Sequence, residues 1–310
     1  MRILDGQLIL SPSDLASFLS CRHRAGLDLA VLHKKFPRPE PMNPYAAILK
    51  KHGEDHEQAY VESLRSQGLS VVDGSGSLEV TIDAMQRGVD VIVQARLEGN
   101  GLSGYADILR RVPTKSDLGG WSYEAHDTKL ARETKGGTIL QLSAYSDMLG
   151  AIQGLVPEFF SVVTPVALEP YRVAAYAAYF RMVRETLMRE LQKGHERLID
   201  EHYPEPVDAC QLCVWAGRCE ATRRKDDHLS YIAGSGRTHR VELVAQGVTT
   251  LTAAAGMPVP VTFKPARGAR ETYDRLGGQA RVQHQQRTEK RPIVEMLPIE
   301  EGAGLRRLPP

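Results

Sequence analysis

Asn100-Gly101 is the dipeptide that most narrows what this chain can fold into. It separates a β-branched run, residues 89–97, from a second extended run, residues 102–112. Two residues that readily take positive φ, set between two extended segments, close an antiparallel hairpin. A third extended run, residues 121–129, follows across a loop and reads as the next strand. Three antiparallel strands therefore carry Asp107, Asp127 and Lys129. Carboxylates that converge at the ends of paired strands can hold a hard divalent cation through oxygen, and a lysine two positions after Asp127 falls on the same strand face.

The flanks supply helices. Ser11-Pro12-Ser13-Asp14 reads as a helix start with Ser13 as N-cap, Leu15, Phe18 and Leu19 as its apolar side, and Cys21 at its C-terminal end. Beyond the prolines at 37, 39, 41 and 44, a second helix is expected over about 46–67. It contains Gly53-Glu54-Asp55-His56-Glu57 and is closed by Gly68. Residues 69–73 and 77–80 read as short extended pieces, followed by a brief helix over 82–87 capped by Thr81. Thr138 is placed to cap a helix through 149 that presents Gln141 and Tyr145 on one face. A strand over 158–164 then implies a crossover, and a long helix over about 175–200 buries Phe180, Val183, Leu187, Leu191 and Leu198. The expected class is α/β, with a mixed central sheet flanked by helices.

The formal charge of the 310 residues is +1, which excludes capture of a polyanion by the molecule as a whole and leaves local basic patches open. Between Lys264 and Arg291 there are eight Lys or Arg against three acids. No apolar run approaches the roughly 20 residues needed to span a bilayer, and the opening residues carry no signal-peptide pattern, so a cytoplasmic location is expected. In a reducing compartment Cys21, Cys210, Cys213 and Cys219 point to metal rather than to disulfides. The late three read C-x2-C-x5-C, but the fourth lies near the other end of the chain, which rules out a local zinc finger. Four thiolates hold either Zn²⁺ or an iron-sulfur cluster, and spacing does not separate the two.

Asp107, Asp127 and a backbone carbonyl, that of Thr128, would hold Mg²⁺ or Mn²⁺. The ion would activate water and stabilise charge on a phosphate, while Lys129 orients the water or neutralises the transition state. Glu124 falls by parity on the opposite face of the same strand. Asp-x-Lys alone recurs by chance, but here it has company. The segment from Ser11 to Cys21, the Gly-Glu-Asp-His56-Glu57 run, Gly-Tyr-Ala-Asp107, Asp127-Thr-Lys129, Gln141-Leu-Ser-Ala-Tyr145 and the three late cysteines resemble, in order over residues 11–219, the RecB-like PD-(D/E)XK nucleases. The likeness is to their iron-sulfur type, AddB-like and CRISPR-adaptation-nuclease-like, as found fused to helicases.

That resemblance implies a restriction-endonuclease-like core. His56 would be a helix-borne metal ligand, Asp107 and Asp127 carboxylate ligands, and Lys129 the catalytic lysine. Gln141 and Tyr145 would form a helix motif beside the site that contacts nucleic acid. Many relatives have Glu where Asp127 stands, a variation the pattern permits. The four cysteines would hold a 4Fe-4S cluster, with Zn²⁺ as the alternative, stapling the first helix to the segment after the last long helix and closing a nuclease domain over 1–225.

Residues 226–257 resemble a helix-hairpin-helix unit, in which Gly234 and Gly236 would expose backbone N–H groups to a DNA phosphate and Arg237 and Arg240 would add contacts. Residues 258–310 read as a basic extended tail or linker, similar to the junction that in such relatives leads to an RNase H-like domain and a helicase. The expectation is a Mg²⁺- or Mn²⁺-dependent deoxyribonuclease acting on single-stranded DNA ends or flaps in repair or processing, with DNA, and a helicase or RNase H-like domain in cis or trans, as partners. The rival is a non-catalytic nucleic-acid-binding module guiding a partner helicase, and a third reading is a zinc-stapled RNA- or protein-binding domain.

Overall fold

The computed structural model describes residues 1–40 and 44–296, and the chain divides into two compact units, Met1–Ala216 and Gly217–Pro310. The first unit opens with a small hairpin, β1 (Arg2–Leu4) and β2 (Gln7–Ile9), turning on Asp5 and Gly6 with both φ angles positive. Helix α1 (Pro12–Ser20) is capped by Ser11 rather than Ser13. Pro12 takes the first helical position, and the Asp14 carboxylate accepts from the Ser11 backbone N–H at 2.7 Å.

Cys21 ends α1 and immediately starts α2 (Arg22–Leu32), a helix the sequence reading lacked. Its buried residues, His23, Ala25, Leu27, Leu29 and Ala30, lie all round the axis, so no apolar stripe marks it. Helix α3 (Pro44–Ser66) and strand β3 (Val71–Asp73) follow. Next comes α4 (Leu78–Gln86), capped by the Ser77 hydroxyl, which accepts from the Val80 N–H at 3.4 Å. Residues 77–80 therefore start a helix, where an extended piece was expected.

Strand β4 (Val91–Gly99) turns through Asn100 and Gly101, at φ 52° and 75°, into β5 (Leu102–Val112), as the dipeptide dictates. Then come β6 (Ser122–Thr128), α5 (Gly136–Gln153), β7 (Phe159–Val163), β8 (Leu168–Arg172), α6 (Val173–Gln192) and α7 (His195–Glu201). Lys135 caps α5, and Thr138 lies inside the helix. The single helix expected over 175–200 breaks at Gly194, which takes φ 86°.

The main sheet has the order β3-β4-β5-β6-β7-β8, parallel at β3/β4 and β6/β7 and antiparallel elsewhere, so the unit is a mixed α/β fold. Helix α5 is buried nearly all round and packs with α1 and α6 in the main core, which contains Leu140, Leu142, Met148, Phe160, Phe180 and Leu187. A smaller core under α3 joins Val61 and Leu64 to Val91 and Ile108.

The alternation of β4 and β5 slips by one residue where these cores meet. Val91 lies under α3 and Ile92 in the main core, yet Ala95 and Leu97 return to the main core; on β5, Leu102 and Ala106 belong to the main core while Ile108 lies under α3. The slip falls at Gln94 and Asp107. These are opposite in register between Val93↔Ile108 and Ala95↔Ala106 but do not pair.

The second unit has its own core of Leu229, Ile232, Leu243, Leu251, Ala254, Val261, Tyr273, Leu276 and Ala280. It contains α8 (Ala216–Lys225, whose first residue belongs to the first unit), α9 (Arg237–Ala245), α10 (Leu251–Ala255) and α11 (Arg270–Glu289). The extended tail expected from residue 258 is thus corrected: α11 is a 20-residue helix whose Tyr273, Leu276 and Ala280 complete the core. Its buried residues follow the 3–4 spacing of a helix face, but two are small and the rest of the face is Arg and Gln, which hid the period. The last part of the expected tail, residues 297–310, lies outside the described residues. Among the described residues no helix is long and apolar enough to cross a membrane.

Gly104 sits where β5 meets α1 and α5. A Cβ there would lie 2.7 Å from Pro12 Cδ and 3.1 Å from Tyr145 Cε1. Gly104→Ala is expected to cost about 1–3 kcal/mol of overpacking strain, read as a lowered midpoint in urea denaturation.

Candidate functional site

The β5/β6 ladder runs from Val112↔Ser122 to Ile108↔His126, so the next residue on each strand, Asp107 and Asp127, meet just past its last pair. Asp107 is then unpaired on both sides, toward β4 and toward β6. Its Oδ2 accepts from the Thr128 backbone N–H at 3.4 Å. Asp127 is only 1 % exposed, and Lys129 Nζ lies 2.5 Å from its Oδ2. That oxygen has the charge contact but no hydrogen bond of acceptable geometry. Burial drives the Asp127 carboxyl well above the usual carboxylate range. Lys129 opposes the shift, and the neighbouring Asp107 carboxylate adds to it.

An orphaned, buried carboxylate oxygen beside a second carboxylate is a donor set that fits Mg²⁺ or Mn²⁺. A hard cation would relieve the repulsion that the proton now relieves. Thr128, whose carbonyl was the expected third donor, is nearly buried at the end of β6.

His56, on α3, reaches the same end of the sheet but faces another way. Its Nε2 lies 3.2 Å from the Val163 carbonyl oxygen, which also accepts the Lys129 N–H at 2.9 Å. His56 therefore stands beside the backbone of Lys129, and its ring nitrogens do not form a tight trio with the two carboxylates. On the other side Tyr145 donates to the Tyr105 carbonyl oxygen. Burial, then Asp107 and Asp127, hold its phenol protonated far above the ordinary range, against a hydrogen bond with Gln141. Both residues of the expected helix motif are thus at the site. With Ser11, Ser13, Arg2 and the half-exposed ring of Tyr105 they line a groove of about 290 Å³.

Two residues here were not singled out from the sequence. Glu57, next to His56, accepts from the Gln94 amide at 2.7 Å and feels both Asp107 and Lys129; burial first, then Asp107, hold its carboxyl above the usual range. Gln94 itself has φ 49°, inside a strand. A glutamine in an extended run carries no signal of that conformation, whereas Glu57 could have been found from its helix neighbour. Glu124 stays away from the site and accepts from the Phe159 N–H at 3.3 Å.

The cysteines of the first unit converge from its two ends. Cys21 is the joint between α1 and α2, and the backbone N–H groups of Arg24 and His23 favour its thiolate. Burial pushes the thiol up on balance, and Cys210 and Cys213 push it further, which places all three sulfurs within mutual electrostatic reach. The segment bearing Cys210 and Cys213 is anchored by Trp215. Its indole N–H donates to Asp28 Oδ1 on α2 at 2.9 Å, and its ring meets Phe36 edge-on at 5.6 Å. Cys219 lies on α8, in the second unit.

In that unit Gly234 has φ 81° and Gly236 is the N-cap of α9, as a glycine turn requires. The expected phosphate contacts are corrected in two respects. The Gly236 N–H already donates to His239 Nδ1 at 3.0 Å, and the Ser235 N–H to the Ile232 carbonyl. Arg240 is 7 % exposed and its Nη1 donates to the Ser235 carbonyl at 3.4 Å, so it braces the turn from inside; Arg237 is exposed.

Among the described residues, Glu190, Glu201 and His202 bring ligand atoms within 4.8 Å of one another, a group the sequence reading did not contain. Lys193 Nζ occupies it, 2.9 Å from Glu190 and 2.8 Å from Glu201. The positive charge such a group could hold is already covalently present.

No described protein family matches the sequence, and no curated protein matches it. Among solved structures, one titled "Crystal structure of SSO0001" overlaps 71 % of this chain and 89 % of its own, at 12 % identity and a TM-score of 0.33. A likeness that slight carries no argument about fold or function.

The Asp127 carboxyl binds its proton more tightly in the folded than in the unfolded state, so its burial costs nothing in acid, and the cost grows as pH rises through the ordinary aspartate pKa of about 3.9. Asp127→Asn is therefore expected to raise the melting temperature of the metal-free protein at pH 8, with the gain disappearing toward pH 3. Thermal denaturation across that range checks it.

Proposed function

We propose that this protein is a RecB-like, divalent-metal-dependent nuclease with a restriction-endonuclease-like core, acting on single-stranded DNA. The observation that carries the reading is the buried Asp127 oxygen without a hydrogen bond, beside Asp107 and within contact of Lys129. The ordered set of motifs from Ser11 to Cys219 supports it. Asp107 and Asp127 would hold the cation, with the Thr128 carbonyl and His56 as further donors. When bound, Mg²⁺ or Mn²⁺ supplies Lewis acidity toward the phosphate and lowers the pKa of a bound water.

The remaining chemistry belongs to the chain. Lys129, released from Asp127 once that carboxylate has a metal partner, offers an ammonium to the non-bridging oxygens of the phosphate as negative charge builds there. Tyr145, fixed on the Tyr105 carbonyl, and Gln141 line the groove that would lead a strand to the carboxylates. Cys21, Cys210 and Cys213, with Cys219 as the fourth thiolate expected from the sequence, would hold a 4Fe-4S cluster, with Zn²⁺ as the alternative. Such a cluster would tie the α1–α2 joint to the end of the first unit. The Gly234–Arg237 turn would offer a second, weaker contact to DNA.

Cleavage of end-labelled single-stranded DNA with Mn²⁺ tests the activity. Asp127→Ala and Lys129→Ala are each expected to lower the rate about 100-fold or more. Equal rates in all three proteins would remove the site assignment, and DNA binding with no metal-dependent cleavage would favour the non-catalytic module. The cysteine centre is tested separately by anaerobic purification. A brown protein absorbing near roughly 400 nm is expected from thiolate-to-iron charge transfer, and a colourless protein containing only zinc would defeat the cluster.

A further inference from the structure

Gln94 is a non-glycine residue held at φ 49° in the middle of a strand, and it faces the unpaired Asp107 across the ladder. Outside turns, that conformation survives only where its surroundings impose it, and such outliers gather at functional sites. Here the imposed geometry has a visible product. The slip turns the Gln94 side chain outward to α3, where its amide nitrogen lies 2.7 Å from Glu57 Oε1.

A hydrogen bond between an exposed glutamine and a half-exposed glutamate could be made by many rotamers on an undistorted strand, so holding the two together does not by itself require the strain. What the distortion adds is direction. It fixes one carboxylate oxygen of Glu57 and leaves the other toward the charges of Asp107 and Lys129. Lys129 is the cation contributed by the chain, and it is already in contact with Asp127. A third acid at this end of the sheet thus leaves an excess of negative charge that a divalent ion would balance.

We infer that Glu57 is a third carboxylate of the metal centre, acting on the hydrated cation from the α3 side, and that Gln94 is the residue that positions it. The inference rests on the nuclease reading and goes beyond it by adding an acid and its holder that the Asp-x-Lys pattern does not contain. Glu57 does not form a tight trio with Asp107 and Asp127, so its natural partners are waters bound to the ion. Gln94 touches neither metal nor substrate.

The test is Mn²⁺ binding to the full chain without DNA, followed by electron paramagnetic resonance of the free ion. Glu57→Gln, which keeps the hydrogen-bonding shape and removes the charge, is expected to weaken binding about 10-fold or more. Gln94→Asn tolerates the same φ but is one methylene short of Glu57, and is expected to weaken binding in the same direction with an unchanged urea midpoint. Wild-type affinity in both variants would overturn the inference while leaving the nuclease reading intact. Absence of Mn²⁺ binding in the wild type would overturn both. If Glu57→Gln does not fold, the Gln94→Asn measurement decides alone, since its effect on affinity without an effect on stability is what a purely structural contact would not produce.

Discussion

A central strand whose backbone is paired on both sides offers its side chains to two faces and no space between its neighbours. Strand β5 is paired in this way except at Asp107, where the ladders to β4 and β6 both lapse. The site depends on that gap. It lets the Asp107 carboxylate meet Asp127 at the end of β6 instead of lying flat on a sheet face, and it gives Gln94 the slack to leave the extended region. The gap is maintained by the two cores on either side of it: Val91 and Ile108 are committed to α3, while Ala95, Leu97 and Ala106 are committed to the helices opposite. Closing the slip would move one set or the other out of its core, and burial of apolar side chains at roughly 25 cal/mol per Å² outweighs a single missing ladder pair.

Burial of Asp127 is the second cost the fold accepts. Desolvating an ionised carboxylate costs several kcal/mol even after relaxation, and the structure meets that cost with Lys129 and with a raised affinity for protons. An apolar residue there would pack without any such penalty. Buried charge that is under-satisfied, next to another carboxylate, belongs to sites that take up a cation, and it ties the stability of this end of the sheet to what occupies it.

Much of this was legible in the residues. Asn100-Gly101 located the hairpin, and its register followed; Asp107, Asp127, Lys129, Gln141 and Tyr145 come together as the motif order implied. Sequence reasoning lost ground where the physical signal is not periodic. Helix α2 is buried all round and shows no stripe, α11 hides a face of small residues among arginines and glutamines, and the break at Gly194 is a single positive φ inside a good helical pattern. Arg240 illustrates another limit, since an arginine next to a glycine turn reads the same whether its guanidinium points to solvent or folds back on the Ser235 carbonyl. The slip at Gln94 was invisible because it arises from competition between two cores, a tertiary effect with no local code.

The Asn100-Gly101 turn also orders events in time. A two-residue connection has almost no loop entropy to overcome, and hairpins of this kind close in about 1–10 μs. Contacts at its tip reach further along the chain: the Asn100 amide donates to Asp147 on α5, and Arg184 on α6 donates to the Asn100 carbonyl. The hairpin can therefore serve as the template on which those helices dock. The meeting of Cys21 with Cys210 and Cys213 requires nearly the whole first unit to be in place. In kinetic terms the paired carboxylates belong to the part of the chain that forms from local contacts, and the thiols belong to its last and most non-local closure.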